Sequence, residues 1–255
     1  YALAHQLVEE YPERAISWFA VGAYYLLVAD LESARRYFGK ATALEPRFAP
    51  AWIGSGHAYA AQDESDQAIA AYRTASRLFP GSHVPWLGIG TEYMRTSHLP
   101  LALQNLLQAE LVAPDDPLVL HELGVVHYIS GEYTPAIHCF GKVAKRGRDT
   151  LDDEAREPSI FNLGHAYRKL RLYEQAAEAY EAALAIRPRS ASTFAALGFT
   201  RHLQGRIDAA LARSRQAPSR TSVATFASVR RPEALRGAIG GRTQRWHGEE
   251  PLASM

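Results

Sequence analysis

Ten histidines, thirteen tyrosines and a single cysteine carry most of the reactive chemistry this 255-residue chain could use. Two histidines on one helix face, completed by a carboxylate, would hold a metal ion. His121 and His127 instead stand six residues apart, toward different sides of a helix, and no carboxylate completes a set. Cys139 stands beside Phe140 with no catalytic context and reads as a small packed hydrophobe. The GxxxxGK[ST], GxGxxG, GxSxG and HExxH patterns do not occur. These residues predict no catalysis, no metal and no cofactor.

One cysteine also excludes a disulfide framework, a zinc ribbon and a thiol redox pair, which fits a reducing compartment. The longest apolar run, Trp18 to Ala29, is interrupted by Gly22 and is too short to cross a bilayer. The net charge of +1 averages two unlike parts: residues 211–255 carry eight arginines and three acids, and the remainder is net −4. The body lacks the basic stripe that phosphate binding needs, so neither nucleic acid nor membrane is an expected partner.

The elements that position these side chains emerge when the chain is read in blocks of one fixed length. Trp18-x2-Val21-Gly22-x2-Tyr25 returns as Trp52-x2-Ser55-Gly56-x2-Tyr59 and as Trp86-x2-Ile89-Gly90-x2-Tyr93, with the same interval each time. Each block continues with alanine, a large apolar residue and a second alanine: Ala34, Phe38, Ala41; Ala68, Tyr72, Ala75; Ala102, Leu106, Ala109. Each closes on proline, at Pro46, Pro80 and Pro114. Steps of three and four residues put the first set on one stripe of a helix and the second set on a facing stripe. Glycine admits close approach, and proline ends the second helix. This is the tetratricopeptide pattern, in both its residues and its period. Its helix pairs cannot bury their own apolar faces and must stack, which predicts an all-α solenoid wound as a right-handed superhelix. If the indole of Trp52 is fully buried, truncating it to alanine costs about 3–5 kcal/mol.

The register predicts complete repeats at 15–48, 49–82 and 83–116, a longer one at 117–156, and a fifth at 157–190. In the fourth, Lys142 to Glu157 reads as a longer helix followed by a solvated loop. Residues 191–216 form a degenerate sixth repeat, with Phe194, Leu197, Gly198 and Ala210 in register but no closing proline. Residues 1–14 read as the second helix of a truncated repeat, because Pro12 lies one period before Pro46. Residues 217–255 leave the period and read as a basic, poorly ordered tail foreign to the fold.

In this repeat class the first helices line the concave face, and the second, fifth, sixth, ninth, twelfth and thirteenth positions of each repeat point into the groove. The polar candidates for partner binding are His57, Thr91, His121, Tyr128, Asn162, His165, Arg168 and Lys169. Asparagine and arginine on an open groove can bind an extended backbone or a carboxylate. No repeat carries lysine and asparagine at its fifth and ninth positions, the pair that repeats binding chaperone C-termini require.

Several blocks carry residues beyond the general repeat pattern. They are Ser17-Trp-Phe-Ala-Val-Gly-Ala-Tyr-Tyr25, Ala34-Arg-Arg-Tyr-Phe-Gly-Lys-Ala41, and Pro50-Ala-Trp-Ile53 leading into Gly56-His57. To these add Asp66-Gln-Ala-Ile-Ala-Ala-Tyr-Arg-Thr-Ala75, His121-Glu-Leu-Gly-Val125, Asn162-Leu-Gly-His165 with Arg168-Lys-Leu170, and the long connection before Glu157-Pro158. In these blocks the chain resembles, from about residue 1 to 212, the cell division cycle protein 16 family of anaphase-promoting complex subunits. The resemblance implies a non-catalytic scaffold of a cell-cycle ubiquitin ligase, nuclear and cytoplasmic. Its partners would be other subunits of that complex. Its groove would enclose the N-terminal segment of a small accessory subunit, with His121, Asn162, His165 and Arg168 foremost. It also implies homodimerisation through N-terminal repeats. The alternatives are another tetratricopeptide adaptor, or the protein-binding region of an enzyme whose catalytic domain lies outside these residues.

Overall fold

Proline fixes the helix ends. The residue before a proline is pushed toward extended backbone, which favours a helix end at that point. Glu45, Phe79, Ala113 and Arg187 each precede a proline and take φ between −119° and −137° with ψ between 77° and 90°. The computed structural model describes residues 2–150 and 153–214. Among them the regular elements are twelve helices: α1 (Ala2–Glu10), α2 (Ala15–Leu27), α3 (Leu31–Leu44), α4 (Ala49–Ala61), α5 (Ser65–Leu78), α6 (Val84–Arg95), α7 (Leu99–Val112), α8 (Pro117–Ile129), α9 (Tyr133–Thr150), α10 (Asp153–Lys169), α11 (Tyr173–Ile186) and α12 (Ala191–Ser214). They fall into two compact units, one ending at Val126 and the other starting at His127, so the division lies inside α8.

In the first unit α2/α3, α4/α5 and α6/α7 are the helix pairs of the first three repeats. The alanines of the second helices, Ala34, Ala41, Ala68, Ala75, Ala102 and Ala109, are all fully buried. Between each pair of alanines stands the large side chain of the core, Phe38, Tyr72 or Leu106, none more than 1% exposed. The expected glycines make room for it. A Cβ on Gly22 would come within 2.7 Å of the Phe38 ring, and one on Gly90 within 2.6 Å of Leu106. A second row of glycines, which the repeat pattern does not announce, closes the slot from the following repeat. Gly54 would meet Phe38 at 2.5 Å, and Gly88 would meet Tyr72 at 2.7 Å. Each ring is thus held between two glycines of successive first helices. Gly54→Ala is expected to lower stability by about 1–3 kcal/mol through overpacking, read from the urea midpoint.

Trp52 differs from the expectation. It is half-buried, and its indole N–H donates to the carbonyl of Pro46 at 2.9 Å, as Trp18 donates to Pro12 at 2.7 Å. The indole covers the turn that opens its repeat and keeps one edge in solvent, so its truncation costs less than full burial would imply. The deepest apolar side chain is the one between the alanines.

The turns inside the helix pairs share one strained position. Ala29, Asp63 and Ser97 in the first unit have φ of 62°, 64° and 63°, left-handed backbone that a side chain disfavours. At the same register the second unit has Gly131 at 81° and Arg171 at 62°. Ala29→Gly is expected to raise stability by about 0.5–1 kcal/mol, measured as a higher urea midpoint.

In the second unit α9 is 18 residues long, so the extra residues of the fourth repeat extend its second helix as expected. The solvated loop expected up to Glu157 is replaced by α10, which runs from Asp153 and buries Arg156 and Glu157. Residues 151–152 and the basic tail at 217–255 lie outside the described residues. α10 packs against both α9 and α11, and Tyr180 of α11 fills the slot at Gly164, where a Cβ would come within 2.6 Å of the ring. The sixth repeat is one continuous helix of 24 residues rather than a pair. No proline interrupts it, and Leu197 joins the cluster around Tyr180.

Candidate partner-binding surface

The first helices contact one another in series: α2 touches α4, and α4 touches α6. They form one row of helices along the first unit, and His57 and Thr91 lie on two of them, α4 and α6. His57, in α4, is part-buried, with its Nδ1 2.7 Å from the Tyr72 hydroxyl and the two rings edge to face. Burial pulls its imidazole from the usual 6.5 down to about 4, so it is neutral at physiological pH. Burial and then the charge of Glu92 raise the Tyr72 phenol well above its usual value. Thr91 spends its hydroxyl on the Gly88 carbonyl at 2.9 Å, inside its own helix. His121, in α8, is 1% exposed.

A polar clamp near His57 has no counterpart in the sequence-derived set. Glu92 of α6 is 5% exposed, and its carboxylate receives Nε and Nη2 of Arg95 at 3.1 and 2.6 Å. The same guanidinium donates to Ser65 Oγ at 2.5 Å and pairs with Asp63. From the other side, Arg35 of α3 donates to Gln62 at 2.9 Å and Glu64 at 3.2 Å. The turn between α4 and α5 is therefore gripped by the repeats before and after it. Arg95→Ala strands a buried carboxylate. With the arginine partly in solvent, the expected cost is about 2 kcal/mol, and Glu92→Gln in the same chain should recover part of it in a double-mutant cycle.

The second unit gathers Tyr128, His165 and Arg168 near Tyr180. His165 is 3% exposed, with Nδ1 2.8 Å from the Tyr180 hydroxyl and 3.2 Å from Arg168 Nη2. Its ring meets Phe161 edge-on at 4.4 Å. Arg168, also buried, lies 5.4 Å from the Phe199 ring centre. Lys169 holds its ammonium 5.9 Å from the Tyr133 ring, which Tyr128 meets edge-on. Burial raises both phenols, Tyr128 strongly and Tyr180 to about 12, and the Arg168 charge opposes the rise. Asn162 is fully buried on α10.

Tyr72 and Tyr180 were not among the polar groups expected from the sequence, although a signal was present. Across five repeats histidine occupies the ninth position in the two where tyrosine, rather than phenylalanine or leucine, occupies the twenty-fourth. Among the described residues no three His, Cys, Asp or Glu side chains converge as metal ligands, and no helix is long and apolar enough to cross a membrane. Of the residues expected on an open groove, His57, Thr91 and Lys169 keep part of their surface, whereas His121, Tyr128, Asn162, His165 and Arg168 are buried between helices.

Comparison with known proteins matches two segments, residues 28–83 and 159–190, to the tetratricopeptide repeat. Anaphase-promoting complex subunit 6 of Arabidopsis thaliana is 49% identical over 205 residues, covering 80% of this chain and 38% of that protein. The cell division cycle protein 16 homolog of Homo sapiens is 44% identical over 214 residues, covering 82% of this chain and 34% of its own length. Among solved structures, the crystal structure of the APC/C hetero-tetramer Cut9-Hcn1 aligns with a TM-score of 0.70 at 39% identity, over 78% of this chain and 39% of that one. The chain therefore spans between a third and two fifths of the length of these relatives.

Proposed function

Because the chain belongs to the tetratricopeptide-repeat family of cell division cycle protein 16 and anaphase-promoting complex subunit 6, we propose that it is a stretch of a non-catalytic scaffold subunit of that ubiquitin ligase. Its first-helix wall receives an extended segment of a small accessory subunit, and other surfaces receive further subunits of the complex. The observation that carries this reading is the likeness to Cut9 in a structure that also contains Hcn1, at 39% identity over 78% of this chain. A wall on which the uncharged His57 and Thr91 keep part of their surface suits an extended backbone, whose groups seek hydrogen bonds rather than charge. Such a subunit works in the nucleus and cytoplasm of a dividing cell, and the ligase chemistry belongs to other subunits.

Titration calorimetry with a synthetic peptide of the Hcn1 N-terminal segment tests the reading. Saturable one-to-one binding is expected, weakened at least fivefold in Asn162→Ala and Arg168→Ala proteins whose melting curves remain cooperative, because these two buried side chains hold the helices that the peptide meets. Absence of binding by the unmodified chain overturns the groove assignment. Unchanged affinity in both variants removes those two residues from it.

A further inference from the structure

The two histidine–tyrosine pairs fix more than packing. In the second unit the protons can be placed from donor chemistry alone. Arg168 Nη2 lies 3.2 Å from His165 Nδ1, and a guanidinium only donates, so that nitrogen is a lone pair. The Tyr180 hydroxyl, 2.8 Å away, also donates to it, while its oxygen receives Arg168. The ring proton of His165 must then sit on Nε2. His165 itself is 3% exposed, so it displays the arrangement without offering it to a partner.

In the first unit the same pair lies with its histidine only part-buried. Tyr72 is 1% exposed, and among the described residues its hydroxyl meets His57 Nδ1, at 2.7 Å. Were Nδ1–H the donor, the phenolic proton would be buried with no acceptor, which is costly. Tyr72 therefore donates, Nδ1 accepts, and the proton of His57 is on Nε2, the nitrogen farther from Tyr72. α4, which carries it, lies between α2 and α6 in the row of first helices.

Resting on the reading that this row holds an extended segment, we propose that His57 donates Nε2–H to a main-chain carbonyl of the partner. A ring with the opposite tautomer would seek an N–H group, so Tyr72 sets the polarity of recognition from beneath. The titratable group against the imidazole is Tyr72 from α5, and the charges acting on that phenol are Glu92 and Arg95 from α6. The arginine neutralises the carboxylate, so no charge competes for the ring proton.

Two measurements on the full chain test this. Long-range nitrogen–proton NMR on histidine-labelled protein should show His57 as the Nε2–H tautomer, unchanged between about pH 5.5 and 8, whereas an unconstrained histidine titrates near 6.5. An Nδ1–H tautomer overturns the proposal without touching the groove reading. Calorimetry with the Hcn1 N-terminal peptide supplies the second. His57→Phe should weaken binding about tenfold, and His57→Gln, whose amide nitrogen overlays Nε2, should restore most of it. Equal affinity in the unmodified, phenylalanine and glutamine proteins refutes the donor role. If the peptide fails to bind the unmodified chain, the groove reading falls and takes the carbonyl contact with it, while the tautomer stands or falls by the NMR result.

Discussion

Tyr72→Ala lowers the free energy of unfolding by about 3–5 kcal/mol, more than Trp52→Ala does. Tyr72 is 1% exposed and stands between glycines of two successive first helices, so its removal empties a slot that neither backbone can close without moving. Ala68 and Ala75 flank it and are too small to relax into the gap. Trp52 leaves less behind, because one edge of its indole already faces water. Tyr72→Phe keeps the volume and removes the hydroxyl, leaving His57 Nδ1 without its donor, and should cost about 1–3 kcal/mol. Urea unfolding followed by circular dichroism ranks the three. Solenoids unfold by neighbour-coupled steps, so the alanine variant should also broaden the transition as the second and third repeats uncouple from the rest. A Trp52→Ala loss equal to or larger than that of Tyr72→Ala would show that the indole, and not the phenol, is the keystone of the repeat.

The contrast between these residues shows what the chain makes legible. Period and helix ends were readable because they rest on local rules: three- and four-residue steps of apolar residues, and proline stopping the helix before it. The glycine at the eighth position was readable as a demand for close approach, but the partner it admits was not. Gly54 and Gly88 carry the same demand from the next repeat, and a consensus built on one repeat at a time does not contain them. The burial of Trp52 was overestimated because hydrophobic size predicts affinity for a core but not the hydrogen bond from the indole to Pro46 that holds it over a turn. Among the groove candidates, Thr91 spends its hydroxyl within its own helix, and His57 and His165 use one ring nitrogen on a tyrosine of their own repeat. Spacing assigns a residue to a helix face. It does not say which of its atoms are already engaged. Arg95 was missed for the opposite reason: its thirteenth-position register marks it for the groove, yet its side chain turns to the preceding repeat and ties Glu92 to the turn at Asp63 and Ser65.

Acid is expected to weaken the chain through His57 in a window that opens above the usual carboxylate range. Its imidazole falls from 6.5 in the unfolded chain to about 4 when folded, because burial penalises the charged ring. Above pH 6.5 the ring is neutral in both states and contributes no pH dependence. Below 6.5 the unfolded chain binds a proton that the folded chain refuses, so stability falls with pH until the folded ring also titrates near 4. Linkage gives a loss of about 2 kcal/mol by pH 5 and about 3 kcal/mol by pH 4 from this group alone. Carboxylates elsewhere also lose stability in acid, which is why the comparison must be with His57→Gln, a side chain that does not titrate. That variant starts from a lower stability at pH 7, because its bond to Tyr72 is imperfect, but its curve should be flatter, so that the two lines converge or cross as pH falls. Urea midpoints at half-unit steps from pH 7 to 4 read the difference directly. Parallel curves would mean that the folded ring accepts its proton as easily as the unfolded one. Tyr72 would then not be holding it as a neutral donor.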